Sequence, residues 1–374
     1  MYRYLFVLFF LLTLGYTKEF SVASYNVENL FDNKYDSTEY KDFLPNTKHW
    51  NAKSAQIKLK NTLQVLQEIK ADIFILQEIE NKSLLEQLNT NLDYKYTFFH
   101  KKSNNAIGQG ILSNIPIIDT KTIWVSNSKK HRDIIRLTFK LENKPFIIYA
   151  NHWSSKRHPA SQRIKSAYKI MQDIKKLPAN IDYMIVGDLN ENHDEYLWLK
   201  NNKKLNDTQG ITAINQVLNT TIKKNFVQKD SILSYSQKVH FNPWLEVNSN
   251  NRFSSLFKKR KNTPDNILLS ASLFDNRNIT YIQNSFTHIK KPYLLRNNKL
   301  NRWNKYKQKG YSDHLPIIAK FTTSKINTIN NLKVKKHTIS SLSDLYNYNN
   351  LDNEFTIDNC RLIYKNNSFG VFKR

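Results

Sequence analysis

Short apolar runs that stop at a polar residue recur along most of the chain. Residues 20–27 alternate apolar and polar positions, the period-2 pattern of a half-buried strand, and Asn26 stands near the end. Residues 71–78 form a second run, closed by Glu78. Strand-like pieces follow at 96–99, 110–113, 116–125, 134–141 and 146–151, and their tight connections predict antiparallel pairing. Tyr183-Met184-Ile185-Val186 then runs into Gly187, Asp188, Leu189 and Asn190. A glycine closing a short apolar run predicts a buried strand that ends abruptly. Residues i and i+2 of a strand project the same way, so Asp188 and Asn190 are expected side by side. Two later strands are expected, one starting at Asp265 and one following Asp313-His314 and ending near Phe321.

Between these runs the period changes. Residues 52–70 place Leu59, Leu63 and Leu66 on one stripe, with Ile69 beside it and lysines opposite, which predicts an amphipathic helix. A short helix is expected over 83–92, with Ser83 as N-cap and Glu86 completing a capping box. A third helix over 159–176 buries Ile164, Ala167, Tyr168, Met171 and Ile174. Residues 34–52 read as a loop, 197–205 as a weak helix, and 211–222 as helix or strand. From Ser324 onward Asn, Lys and Ser dominate. A short helix over 342–348 and a hairpin of 356–364 with 370–373 are expected there, in an appendage spanning 324–374.

Residues 1–17 read as a signal peptide. Arg3 precedes an apolar stretch over 5–14 that is too short to span a bilayer, and Gly15 and Thr17 suit cleavage before Lys18. An uncleaved anchor is the other reading. Either implies export, to the periplasm or beyond. The one cysteine, Cys360, rules out an intrachain disulfide, so an exported chain of 374 residues must rest on its core.

Lysine and arginine total 57 against 31 acids, a net charge of +26. That excess predicts attraction to polyanions, either nucleic acid or an anionic membrane surface, with compositional drift of an AT-rich genome as the other source of the Lys, Asn and Ile excess. Trp244, Arg252-Phe253 and the basic run 258–261 interleave rings with cations, which suits a polyanion groove or a solvated loop with its aromatics packed beneath.

The candidate chemistry lies at the strand ends: Asn26, Glu78, His152, Asp188 with Asn190, Asp265, and Asp313 with His314. Carboxylate and amide oxygens suit a hard divalent ion. A histidine beside an acid suits proton transfer. Any one strand end of this kind is as readily a solvated turn, and a lone histidine near a core strand, such as His152, is more often structural than functional. Arg132 precedes one strand, and Lys156 and Arg157 follow His152, where phosphate would find donors.

Taken in order, SYNVENLFD, ILQEIEN, ANHWSSKR, IVGDLNEN, PDNILLS and SDHLPI span residues 20–321. Together they resemble the DNase-I-like endonuclease/exonuclease/phosphatase superfamily. NVENLFD and the Trp244 and Arg252-Phe253-Ser254 region look most like its exported bacterial branch. The resemblance implies an α/β (α+β) fold, a four-layered sandwich of two mixed β-sheets flanked by helices, in a catalytic domain over 18–323. It implies hydrolysis of phosphate esters with Mg²⁺ or Mn²⁺, and leaves room for Ca²⁺ as a structural ion. By position Glu78 matches the principal metal carboxylate, with Asn26 and Asp313 completing the metal environment. Asp188 and Asn190 match the pair that orients water and phosphate. His314 matches the catalytic histidine, Asp265 the acid that holds its ring, and His152 the second histidine of the nucleases. Arg132, Lys156, Arg157, Trp244 and Arg252 are the expected substrate contacts. The expected function is an exported nuclease cutting DNA, with RNA as a further substrate and no obligate protein partner. The alternative is a phospholipid phosphodiesterase of the sphingomyelinase type, with Phe253, Phe257 and Lys258–Lys261 at a membrane. A silent polyanion-binding module is disfavoured, because a carboxylate cluster repels phosphate. Asn266 stands where the exported branch often has His, a departure expected to leave the site intact.

Overall fold

Two strand–helix–strand units carry the architecture. In chain order the elements are β1 (Glu19–Leu30), α1 (Ala52–Ile69), β2 (Ile73–Ile79), α2 (Lys82–Thr90), β3 (Tyr96–His100), β4 (Gly108–Ser113), β5 (Ile117–Ile123), β6 (Ile134–Leu141), β7 (Lys144–His152), α3 (Ala160–Ile174) and β8 (Asp182–Asp188). β1 and β2 pair in parallel across α1, and β7 and β8 pair in parallel across α3. A parallel pair needs a crossover long enough to return the chain, and each helix supplies one. The computed structural model describes residues 18–323, except 179 and 298, and four strand segments between 337 and 373.

Antiparallel strands extend each parallel pair. The first sheet runs Thr280–Tyr281, Ile317–Thr322, β1, β2, β4, β3, with Thr287–His288 also on the Ile317–Thr322 strand. The second runs His240–Phe241, Asp265–Ser270, β8, β7, β6, β5. Alternate residues of both sheets form one core between them: Val22, Ile73 and Ile75 meet Ile148, Met184, Val186 and Ile267. The opposite face of the first sheet, with Tyr25, Phe74 and Leu76, packs under Val65 and Leu66 of α1 and Leu84 and Leu88 of α2. The outer face of the second sheet, with Ile147, Tyr149 and Ile185, packs under Ala167, Ile170 and Ile174 of α3. The result is the expected four-layered sandwich of two mixed sheets between helices.

The helices differ from expectation at their ends. α2 starts one residue earlier than predicted and is capped by Asn81, whose side chain accepts from Leu84 N at 3.0 Å. Asn81 has the extended backbone of an N-cap, which leaves Ser83 and Glu86 inside the helix. α1 closes at Lys70, which is left-handed and donates to Leu66 O. Residues 197–205 hold only the turn Tyr196–Leu199. Residues 211–222 divide into a wide helical turn, Ala213–Val217, and a two-residue strand, Thr221–Ile222.

The chain divides into two compact units at residue 325. In the second, His337–Ile339 pairs in parallel with Phe355–Ile357, and Cys360–Lys365 pairs antiparallel with Ser368–Lys373. The expected hairpin therefore begins at Cys360, because residues 355–357 belong to another pairing. The expected helix at 342–348 and the expected signal peptide lie outside the described residues. No helix among the described residues is long and apolar enough to cross a membrane.

Candidate active site

The two parallel pairs end on the same edge of the sandwich. Asn26 and Glu78 lie near the ends of β1 and β2, and His152 and Asp188 close β7 and β8. The antiparallel neighbours begin where these strands stop. Asp265 is paired with Asp188 in register, as is His152 on its other side. The strand Ile317–Thr322 runs antiparallel to β1, so Asp313 and His314 enter from the same edge.

Backbone irregularity aims several of these side chains. Glu78 sits at φ 69° in a break of register between Gln77 and Ile79. Such a bulge turns a side chain that would otherwise follow the strand. Asn190 (φ 51°), Glu28 (φ 53°) and Asn29 (φ 58°) are also left-handed. Non-glycine residues in that region cost about 1–3 kcal/mol each and cluster at functional sites. Gly187 has φ 138°, and a Cβ there would lie 2.0 Å from Asn151 O, so only glycine lets β8 approach β7 this closely. Beyond Asn190, Glu191 is fully buried. It accepts from Arg163 Nε at 3.2 Å and Ile214 N at 3.0 Å, which fixes the outgoing loop.

Asn26 joins the two halves. Its Nδ2 donates to Glu78 Oε1 and to Asp188 Oδ2, each at 3.0 Å, while its Oδ1 accepts from Glu28 N. Its amide oxygen is thus turned away from the carboxylates. Glu78 Oε2 accepts from Asn29 N, and Asp188 Oδ1 accepts from Asn190 N at 2.9 Å. His314 Nδ1 lies 2.7 Å from Asp265 Oδ2, which also accepts from Ser254 Oγ at 2.5 Å. Ser312 Oγ accepts from His314 N and donates to Asn26 O, tying the histidine loop to β1. His152 Nε2 lies 3.6 Å from Glu78 and 3.7 Å from Asp188, while its Nδ1 is buried without a hydrogen-bond partner.

Burial and crowding split the charges. Burial pushes Asp188 up to about 6, with Asp265 adding to the rise and His314 and Asn26 opposing it. Burial works against the charge on His314, but Asp265, Asp188 and Asp313 overcome it and hold the imidazolium well above its ordinary range. His152 is driven the other way, by burial and then by Arg132 and His314, so it is neutral. The site thus holds one charged and one neutral imidazole beside an ionised carboxylate.

These groups floor a cleft of about 820 Å³ whose walls include Tyr40, Lys41, Arg132, Arg157, Arg302 and Tyr306. A sequence profile of the Endonuclease/Exonuclease/phosphatase family matches residues 21–323. The chain belongs to this family. Among curated proteins no sequence matches it. Among solved structures, humanized D. rerio TDP2 carrying 14 mutations superposes at TM-score 0.53 with 14% identity, over 81% of this chain and 98% of that one. D. rerio TDP2 complexed with a single strand DNA product superposes at 0.51 and 14% identity, over 81% and 98%. An endonuclease/exonuclease/phosphatase family protein from Bacteroides thetaiotaomicron matches at 0.48 and 16%, over 82% and 99%. The first two place the chain's fold with DNase-I-like sandwiches.

Within this family fold the structure brings Asn26, Glu78, His152, Asp188, Asn190, Asp313 and His314 to one cleft, with Asp265 behind His314. Arg132 and Arg157 line the same cleft. Three expected substrate contacts do not. Trp244 is 0% exposed and donates from Nε1 to Asp265 O, so its ring is core and buttresses the acid from behind. Arg252 spends its guanidinium on the carbonyls of Val247 and Leu245. Lys156 pairs at 2.7 Å with Glu195, a buried carboxylate that needs a cation. Asn266 points away from the acid and donates to the carbonyls of Glu191, Thr263 and Pro264. The sequence reading missed Ser254, Ser312 and the pair Glu28–Arg302. Glu28 accepts from Arg302 Nε at 3.0 Å and from Trp303 N, and Arg302 Nη2 reaches Asp313 at 3.4 Å. Glu28 lies inside the NVENLFD stretch, where an acid between two asparagines was the available signal.

Oxygen donors suited to a hard cation face the cleft. Glu78 and Asp313 line it, and the oxygens of Asp188 and Asp265 lie within 4.8 Å of a ring nitrogen of His314. Carboxylates from four strand ends are balanced there by His314, Arg302 and the buried Lys58. Asp265 Oδ1 is buried without a partner. This donor set fits a hard divalent cation, which takes oxygen ligands and keeps several waters in an open cleft.

Proposed function

We propose that the chain is an exported, divalent-metal-dependent nuclease of the bacterial branch of its family, hydrolysing phosphodiester bonds of DNA. Residues 18–323 are its catalytic domain, and the tail is an appendage. The observation that carries this reading is the charged His314, held on Asp265, sharing a cleft with Asp188 and Glu78 beneath Arg132 and Arg157.

Glu78 and Asp313 would hold the ion, with Asn26 fixing the Glu78 carboxylate. The bound ion would supply Lewis acidity to the phosphoryl oxygens. The protein's own groups do the rest. Asp188, ionised above about pH 6 and fixed by Asn26 and Asn190, orients a water and takes its proton. His314 donates its charge to the phosphoryl oxygens as they become more negative, while Asp265 prevents the ring from turning. His152, neutral and beside both carboxylates, offers an N–H to the phosphate or the departing oxygen. Arg132 and Arg157 seat the flanking phosphates. Tyr306, 74% exposed on the rim, offers a ring against a base. The single strand DNA product in D. rerio TDP2 supports a nucleic-acid substrate for the same fold.

Plasmid nicking by residues 18–374, with Mg²⁺ and with EDTA, tests the reading beside Asp188→Asn. Metal-dependent nicking should fall about 10²–10⁴-fold in the variant without loss of fold. Folded protein that fails to nick plasmid whichever divalent ion is supplied would sink the nuclease reading. One observation favours the phospholipid alternative. Ser255–Phe257 and Arg260–Asn262 form a hairpin whose Phe257 is 67% exposed beside Lys258 and Lys259. Hydrolysis of sphingomyelin vesicles, abolished in Phe257→Ser while soluble esters are still cut, would move the assignment there.

A further inference from the structure

A second group of carboxylates lies outside the catalytic constellation. Asp36 and Glu39 come from the irregular loop after β1, and Glu80 follows β2. One oxygen of each lies within 4.8 Å of the others. Glu80 is 1% exposed; its Oε2 accepts from Asp32 N at 2.7 Å, and its Oε1 is buried with no partner. Glu39 Oε2 is likewise buried and unpartnered. The nearest cation is Lys101, whose Nζ reaches Asp36 Oδ2 at 2.9 Å. Among the described residues no cation pairs with Glu39 or Glu80. A buried ionised carboxylate without counter-charge is costly, so the metal-free chain holds a proton there. Burial and then the neighbouring Asp32, Asp36 and Glu39 push Glu80 up to about 8. Two unpartnered oxygens in one cluster offer a cation a place to displace that proton.

We propose that Asp36, Glu39 and Glu80 form a second divalent-cation site, separate from that of Glu78, and that Ca²⁺ is its occupant. The chemistry distinguishes Ca²⁺ from Mg²⁺. Ca²⁺ accepts six to eight oxygens in irregular geometry from flexible loops, whereas Mg²⁺ demands a near-ideal octahedron. The occupant ties the loop to the end of β2, two residues past Glu78. Glu39 is followed directly by Tyr40, Lys41, Asp42 and Phe43, which wall the cleft. Filling the site therefore orders one wall of the substrate cleft from below. The binding claim is independent of the nuclease reading; only its effect on turnover rests on it.

The test uses residues 18–374 stripped with EDTA and titrated with Ca²⁺ by calorimetry. Tb³⁺ luminescence sensitised by Tyr35 and Tyr40 gives a second readout. Glu39→Gln, Glu80→Gln and Asp188→Asn are compared with the unaltered chain. Ca²⁺ at about 1 mM, the affinity range of extracellular modules, should raise Tm by about 2 °C or more and slow proteolysis within residues 32–50. Asp188→Asn should keep that response. Glu39→Gln, at a half-buried position that tolerates the amide, should weaken binding at least about tenfold and lose the Tm rise. Equal Ca²⁺ binding in Glu39→Gln and the unaltered chain would overturn the proposal. So would no Ca²⁺ response in the unaltered chain, or a response that disappears in Asp188→Asn. If Glu80→Gln fails to fold, Glu39→Gln decides.

Discussion

Asn26 holds apart two carboxylates that would otherwise repel, and its single amide spans both halves of the sandwich. Ser254 plays a related part behind His314, because its hydroxyl shares Asp265 Oδ2 with the imidazole. Ser254→Ala should lower kcat about tenfold with KM unchanged, the usual cost of removing a partner that orients a catalytic group. A wild-type kcat would mean that Asp265 orients the ring unaided. Away from the site, Asp182 tests the electrostatics of burial. Burial pushes its carboxyl up to about 7, against the hydrogen bond from Ile279 N. The folded state therefore holds a proton that the unfolded chain has already lost between the ordinary carboxylate range and about pH 7. The stabilisation is full below that range and lost as pH rises through about 7. Asp182→Asn should melt higher than the unaltered chain at pH 8, with the gap closing toward pH 4, as followed by circular dichroism. The acids and histidines of the cleft were legible in the sequence because each stands at the end or just at the start of an apolar run. Lys156, Arg252 and Trp244 were misread because composition does not reveal where a side chain is already engaged. Each satisfies a buried partner: Glu195, the turn carbonyls, or the backbone of Asp265.

At the scale of elements, β8 is the least tolerant of change. Its register against β7 brings Gly187 onto Asn151, and the neighbouring residue is Asp188. Gly187→Ala should cost about 3 kcal/mol or more, from φ strain and the clash with a carbonyl that cannot move, and should lower activity beyond the loss of folded protein. Unfolding in urea combined with a rate per folded molecule separates the two effects. Asn81→Ala should instead cost about 1 kcal/mol through the lost α2 cap and leave the rate per folded molecule unchanged. Both amphipathic helices and the succession of strands along the chain were readable from periodicity, whereas the parallel pairing of β1 with β2 and of β7 with β8 was not. The bulge at Glu78 was not, because period 2 says nothing of an extra residue. Nor was the cap of α2, where Asn81 and Ser83 compete and only backbone geometry decides.

For the whole molecule, the charge of +26 makes ionic strength the natural probe. Binding of single-stranded DNA to the Asp188→Asn variant, followed by anisotropy, should weaken with salt at a slope of about −0.7 per phosphate engaged. Arg132→Ala should make that slope shallower by about one contact. A slope unchanged by Arg132→Ala, with unchanged affinity, would remove Arg132 from the binding face.

The first strand of the larger unit pairs with its last. Glu19 lies opposite Thr322, and His314 arrives only a few residues before that final strand. Carboxylates made early therefore wait, through nearly the whole length of the unit, for the imidazole made late. A ribosome that has not yet reached residue 265 carries a chain with Glu78 and Asp188 but without Asp265, Asp313 and His314, unable to complete the constellation whatever it has already folded. Synthesis itself acts as a timer, and a polypeptide cut short before residue 314 lacks both the imidazole and the strand that closes the first sheet against β1.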